Sequence, residues 1–189
     1  MMKKLAFAVV SISILILAAG GFFYWWQNQT DVRALNKTLP EGVRVVKSLL
    51  GNEYGVINKI DKYEFKIPSE WKGLKETAYM PERTEMEYTG ASIDMSGNEG
   101  GSRIATIDRF KINDQSVNLK SWAQKEFETF GLVGDFSDDK VGEFEIVKTR
   151  EEIHLVGMAV YFFKKDLAIY AITNGSEEFI RYIIANGKW

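Results

Sequence analysis

Hydrophobic and polar residues alternate in short runs along most of the chain after residue 42. A period of two, bounded by turn-forming residues, is typical of half-buried β-strands. The pattern predicts strands over residues 43–49, 54–58, 63–67, 85–95, 102–112, 141–148, 154–163 and 167–173. In the last two of these runs both alternating sets are apolar, which predicts strands that are buried on both faces of a sheet.

Short polar connections predict that neighbouring strands pair as antiparallel hairpins. The segments "KID" (59–61) and "KKD" (164–166) each separate two strand patterns by a tight turn. The segment "SGNEGG" (96–101) supplies glycines for positive φ angles between two further strands. A glycine-rich loop can also cradle phosphate, but that function needs a helix directly after the loop. A strand pattern follows here, so the sequence favours a hairpin.

Two segments of the chain have helical periodicity instead. The first covers 119–130, and its apolar residues share one face: Leu119, Trp122, Ala123, Phe127 and Phe130. Asn118 or Ser116 can cap its start, and Gly131 can end it. The second follows Ser176, and its docking face carries Phe179, Ile180, Ile183 and Ile184. A central antiparallel sheet with helices on both faces is therefore predicted over 43–189, an α+β fold arranged as an α/β/α sandwich.

The first residues of the chain have the composition of a membrane span. Lys3 and Lys4 precede 22 uncharged residues, 5–26, which form a helix of about 33 Å. This length is close to that of the hydrocarbon core of a bilayer. The sequence predicts a cytoplasmic N-terminus at 1–4, a signal-anchor at 5–26, a linker at 27–42 and an extracytoplasmic domain at 43–189.

Small residues at the end of the apolar run leave a second possibility open. Ala18 to Gly21 resemble a signal-peptidase site, which would release a secreted domain. Cleavage there would expose an aromatic N-terminus to water, whereas in an uncleaved anchor the same rings lie at the membrane–water interface. The predicted interface residues are Phe22, Phe23, Tyr24, Trp25 and Trp26.

Composition excludes several classes of function. The chain has no cysteine, which excludes disulfides, thiolate metal sites, cysteine catalysis and the lipid-anchored lipoproteins. A net charge of −2 argues against nucleic acid as the main partner. The sequence predicts no cofactor.

No catalytic constellation stands out among the polar residues. His154 is the only histidine, no G-x-S-x-G motif presents a serine, and a strand-edge role for His154 is the simpler interpretation. The densest acidic stretch contains Asp135, Asp138 and Asp139, the one metal candidate because hard cations prefer carboxylates. The spacing of a calcium loop is absent, so a solvated loop leading into a strand is expected there.

The order of elements resembles that of the PsbP-like family. The resemblance is carried by "YEFKIPSEWK" (63–72), "LKSWAQKEF" (119–127), "AVYFFKKDLAIYAIT" (159–173) and "FIRYII" (179–184). It covers residues 43–189 and implies an α/β/α sandwich. It also implies binding or assembly rather than catalysis, and no binding residue carries over from the family.

Together these patterns predict a non-catalytic binding or assembly module. The module is held by a single N-terminal helix on the outer face of a cell membrane, with a protein partner. The alternatives are an extracytoplasmic protein that binds a small ligand or metal and, third, a carboxylate-dependent hydrolase.

Overall fold

The computed structural model describes residues 2–48, 53–67, 74–80, 90–97, 103–129, 131–151, 159–173 and 175–189. Within these ranges the chain forms four helices and ten strands in two antiparallel sheets, an α+β fold. The elements are α1 (Met2–Asn28), α2 (Thr30–Asn36), β1 (Val43–Lys47), β2 (Tyr54–Asn58), β3 (Tyr63–Ile67), β4 (Leu74–Met80), β5 (Gly90–Gly97), β6 (Arg103–Lys111), α3 (Leu119–Thr129), β7 (Gly134–Val141), β8 (Phe144–Glu151), β9 (Ala159–Lys165), β10 (Ala168–Thr173) and α4 (Glu177–Asn186).

The larger sheet has seven strands in the order β4-β5-β6-β10-β9-β8-β7. Its centre is the hairpin of β9 and β10, in which Ile169 pairs with Lys164 and Ile172 with Tyr161. Asp166 takes a positive φ of 52° in the turn between them. The hairpins predicted around 164–166 and 59–61 are both confirmed, as is the antiparallel pairing of β5 with β6.

Both faces of the central hairpin are buried, as its apolar pattern predicts. Val160, Phe162 and Ile169 point to one face, where they pack with Phe127 of α3. The alternate residues point to the other face, where they pack with α4, α2 and the smaller sheet. Because the side-chain period of a strand is two, consecutive residues supply two separate apolar layers.

The smaller sheet has the strand order β1-β2-β3 and covers part of the α4 face. The prediction of one central sheet is therefore wrong in this respect, because β1, β2 and β3 form a sheet of their own. Aromatic rings join the two sheets, with Trp189 4.8 Å from Phe163 and 5.5 Å from Tyr63 between ring centroids. Such contacts hold the layers together through buried apolar area.

The two predicted helix starts have the expected caps. The side chain of Asn118 accepts a 2.9 Å hydrogen bond from the N–H of Ser121, so Asn118 rather than Ser116 caps α3. Ser176 accepts one of 3.2 Å from the N–H of Phe179 at the start of α4. All four apolar residues predicted for the docking face of α4 are buried.

Two predictions, one of a loop and one of a strand, are wrong in the acidic region. Residues expected as a solvated loop form β7, because each residue of 134–141 lies opposite a residue of β8. The predicted strand 141–148 is divided, since Gly142 turns the chain with a φ of 58° between β7 and β8. The sequence patterns also missed β4, which pairs with β5.

The predicted linker is wrong over Thr30–Asn36. These residues form α2, whose Val32 and Leu35 are buried in the same core as β1. Val32 and Leu35 lie three positions apart, on one face of the helix, and together they are enough to dock it. Two apolar residues in a polar segment do not by themselves predict a helix. His154, Phe130 and most of the glycine-rich loop lie outside the described residues.

Candidate functional site

The first helix is long and apolar enough to cross a membrane. It contains 27 residues, about 40 Å at 1.5 Å per residue. Its most apolar stretch, Val10–Gln27, has no part buried against the rest of the chain. A helix whose apolar side chains face outward all round is suited to a lipid environment rather than to a soluble core.

The predicted interface residues surround the last turns of this helix. We call Phe22, Phe23, Tyr24, Trp25 and Trp26 the aromatic collar. All five rings are exposed, from 37% for Trp25 to 66% for Tyr24. The ring centroid of Phe22 lies 5.8 Å from that of Trp25 and 6.0 Å from that of Trp26, so the collar is partly self-packed.

The helix runs without a break through the predicted cleavage site. Gly20 and Gly21 are both helical, and a Cβ atom built on either would meet nothing within 4 Å. Neither glycine takes a positive φ, so the pair introduces no turn. The small residues therefore lie inside one continuous α1.

A single residue, Gln29, separates α1 from α2. Its N–H donates to the carbonyl of Trp25 at 3.2 Å, and its own carbonyl accepts from the N–H of Arg33 at 3.0 Å. These bonds continue the helical spacing of four residues across the boundary. The chain therefore leaves the collar along a hydrogen-bonded path rather than through a free tether.

The side chain of Arg33 in α2 contacts the collar. The guanidinium carbon lies 3.3 Å above the centroid of the Trp26 ring. A cation at this distance over the face of an indole is attracted by the negative face of the ring system. The contact links the end of the candidate membrane span to the first helix of the domain.

The second helix is fixed to the edge of the smaller sheet. The Asn36 side-chain amide accepts from the N–H of Val45 at 2.7 Å and donates to the carbonyl of Val45 at 2.9 Å. Gln29 donates to the carbonyl of Lys47 at 3.4 Å, and the N–H of Val43 donates to the carbonyl of Pro40 at 3.1 Å. These bonds satisfy the outer edge of β1, which would otherwise be open to pairing with another chain.

A polar triad lies at the same end of the domain. Asp31 accepts hydrogen bonds from the hydroxyl of Tyr54 and from Lys47, the latter at 2.9 Å. Burial raises the pKa of Asp31, but these donors outweigh it and leave that pKa below its ordinary value. Burial and the Asp31 charge raise the pKa of Tyr54. The triad is thus a neutral phenol and a carboxylate paired with an ammonium.

The three aspartates proposed as metal ligands are not brought together. Asp138 pairs with Lys120 of α3 at 3.2 Å, whereas Asp139 pairs with Arg181 of α4 on the opposite side of the sheet. Asp135 is exposed near the start of β7. Neighbouring residues of a strand point to opposite faces, which separates the carboxylates. Within the described ranges no three acidic or histidine side chains could share a metal ion.

A second charged cluster lies where β8 meets α4. Glu177 accepts from Lys148 at 2.8 Å and from Arg181 at 3.1 Å, and these bonds lower the pKa of Glu177 to about 2. The bond to Glu177 in turn raises the pKa of Lys148. Acid–base catalysis needs pKa values near the working pH, so these shifts move both groups away from such a role.

A shallow cleft of about 350 Å³ opens beside β7, at the start of α3. Because β7 is the edge strand of the sheet, Asp138 and Asp139 both border this cleft although they point to opposite faces; the other charged residues of the lining are Lys120 and Glu145. Three of these four side chains are already engaged with other parts of the protein or with each other. Its lining mixes these charged groups with Leu119, Ile146 and Val147, so the cleft lacks the predominantly apolar walls of a typical small-molecule site.

Comparison with known protein families, with curated proteins and with solved structures finds no match to this chain. The candidate site must therefore be argued from its own geometry. By that criterion the most developed arrangement among the described residues connects the candidate membrane span to the domain. It consists of the collar, Arg33 and the α2–β1 contact, and we call it the membrane junction.

The sequence patterns found the collar but missed the residues that connect it to the domain. Arg33 follows Trp26 by seven residues, a spacing that returns to one face of a helix, and this signal was available. Asn36 and Asp31 gave no comparable signal. Their partners, Val45, Lys47 and Tyr54, lie on strands whose position relative to α2 depends on the tertiary fold.

Proposed function

We propose that this protein is a membrane-anchored binding or assembly module. Its first helix crosses a cell membrane once, with Lys3 and Lys4 inside, and its domain lies on the extracytoplasmic face. There it recruits or positions a protein partner. The proposal includes a PsbP-like α/β/α arrangement for the domain.

The observation that carries the proposal is the docking of α2 on β1 directly after α1. A released domain has no need of a fixed connection to the helix that precedes it. Here one residue separates the helices, and the side chain of Asn36 fixes the second of them to the sheet. Such a connection is suited to holding a domain in a defined position at a surface.

The geometry also limits how far the domain lies from the bilayer. Asn36 lies ten positions after Trp26, which is about 15 Å along a helix. The membrane-proximal end of the domain would thus lie within reach of the headgroups. A partner of such a module is most simply another membrane-bound or membrane-proximal protein.

The charged groups support binding rather than catalysis. In both described clusters each carboxylate is matched by a nearby cation or hydroxyl, as Asp31 is by Lys47 and Glu177 by Lys148. The pKa of each of these two carboxyls lies below its ordinary value. A group that stays ionised across the neutral range is a poor proton donor or acceptor.

Topology can be tested on a background that has no natural cysteine. We would place one cysteine at Lys3 or at Asp114 of the full chain and treat intact cells with a membrane-impermeant maleimide. Labelling of Asp114→Cys alone is expected. Labelling of Lys3→Cys alone, or of both, would overturn the proposed orientation.

Partner binding can be tested in native membranes by photo-crosslinking. Benzoylphenylalanine would replace Gln124 on α3 or Lys66 on β3, which are exposed on different elements, with lipid-facing Ile12 as the control position. A discrete adduct from a domain position, absent at Ile12, is expected. If neither domain position gives an adduct in native membranes, the binding function is wrong.

A further inference from the structure

The Arg33 side chain is the least explained charge at the membrane junction. Its neighbour Asp31 is already engaged by Lys47 and Tyr54. In the part of the chain that the structure describes, no carboxylate pairs with the guanidinium of Arg33. Its one described contact is with the face of the Trp26 ring, at 3.3 Å.

The position of Trp26 fixes the depth of this cation. Indole rings at the end of a membrane span lie at the level of the lipid headgroups. Trp26 is half exposed and belongs to the aromatic collar. A guanidinium stacked on that ring is therefore held at the depth where lipid phosphates lie.

The chemistry of the guanidinium suits a phosphate at this place. Its face is covered by the indole, whereas the N–H donors at its edges lie in the plane of the group and stay available. These donors match two oxygens of a phosphodiester in a bidentate arrangement. The stacking also fixes the planar group in advance, which reduces the entropy lost when a ligand binds.

The surrounding charge has the same sign. Lys37, the residue directly after α2, follows Arg33 by four positions and is exposed. Within the triad, Lys47 and Asp31 carry opposite charges that lie 2.9 Å apart and offset each other. Among Arg33, Lys37, Lys47 and Asp31, three cations stand against one carboxylate.

We propose that Arg33, stacked on Trp26, forms a binding site for the headgroup of an anionic phospholipid in the adjacent leaflet. The proposal rests on the proposed function, because it needs α1 in the membrane. To the proposed function it adds an anionic lipid as a partner, and it names Arg33 and Trp26 as the residues that form the site. The occupant is a membrane lipid rather than a soluble phosphate, because the collar holds the site at headgroup depth.

The test uses the full chain in phosphatidylcholine vesicles that contain a trace of spin-labelled lipid. Electron paramagnetic resonance then gives the fraction of spin-labelled phosphatidylglycerol, or of spin-labelled phosphatidylcholine, that is immobilised at the protein. The wild type is expected to prefer phosphatidylglycerol about fivefold, the ratio for the attraction of one basic side chain to an anionic headgroup.

Three variants separate a defined site from general attraction. Arg33→Gln should remove the preference, and Trp26→Leu should reduce it although every charge is kept. Arg44→Gln is the matched control, because Arg44 is exposed at the end of β1 away from Gln29. It removes the same charge and should leave the preference unchanged.

Each other result has a definite meaning. An unchanged preference in Arg33→Gln, or an equal loss in Arg44→Gln, would overturn the site. If Trp26→Leu keeps the full preference for phosphatidylglycerol, the preference comes from charge alone. That result would also overturn the site. If neither spin-labelled lipid is immobilised by the wild type, α1 is not in the bilayer, and it is the proposed function that fails.

Discussion

Asn36 pairs through its side-chain amide with both backbone groups of Val45, at 2.7 and 2.9 Å. An amide side chain here takes the place of a neighbouring strand at the edge of β1. This arrangement closes an edge that could pair with other chains, and it fixes α2 to the domain. Asn36 thus fixes α2, which follows α1 after a single residue, to the smaller sheet.

Replacement of Asn36 by alanine should destabilise the domain by about 2 kcal/mol, because two hydrogen bonds are lost and the backbone groups of Val45 are left unpaired. Urea unfolding of the full chain in detergent micelles measures the effect. Asn113→Ala is the matched control, because Asn113 is exposed in the loop before α3. Equal stability of the two variants would mean that the Asn36 contact does not hold α2 in place.

The hydroxyl of Tyr54 should contribute to stability through Asp31. Tyr54→Phe removes a hydrogen bond to a carboxylate and should cost about 1–3 kcal/mol. A double-mutant cycle with Asp31→Asn, followed by thermal unfolding, isolates the coupling between the two side chains. Additive effects of the two substitutions would show that the hydroxyl and the carboxylate do not interact.

Acid stability should depend on Glu177. Its pKa is lowered to about 2 in the folded protein by Lys148 and Arg181, from an ordinary value of 4.5. A carboxyl with a depressed folded pKa stabilises the protein above its unfolded pKa, and this contribution is lost as the pH falls towards the folded pKa. Stability should therefore fall from about pH 5 to about pH 2, and Glu177→Gln should flatten that part of the profile.

The expected change for Glu177→Gln is below about 1 kcal/mol, because its side chain is 51% exposed and solvent screens the pair. Glu178→Gln is the matched control. It removes one charge from the same first turn of α4, where Glu178 is exposed. If both variants flatten the acid profile equally, the effect comes from the helix dipole rather than from Lys148 and Arg181.

The elements predicted best from the sequence are those with strong local signals. The β9–β10 hairpin is marked by two apolar runs around a short charged turn, and α4 by Ser176 and its apolar face. The boundaries on either side of the β9–β10 turn, the end of β10 and both ends of α4 lie within two residues of the predicted ones, whereas the predicted start of β9 lies outside the described residues. Local patterning suffices there because the same residues set both the secondary structure and the burial.

The elements predicted poorly depend on neighbours that are distant in sequence. The polar residues of β7 contain little that favours a strand, and they form one because β8 supplies its partners. The helix α2 has only two buried residues, and it is fixed by β1. The separation of Asp138 from Asp139 onto opposite faces likewise requires knowledge that this segment is extended.

The central claim is that α1 stays attached and holds the domain at a membrane. The most direct test is the intact mass of the native protein after cell membranes have been separated and washed at high pH. The account predicts the full-length mass in the washed membrane pellet. A chain that lacks residues 1–20 or 1–21 and is found in the soluble fraction would contradict it.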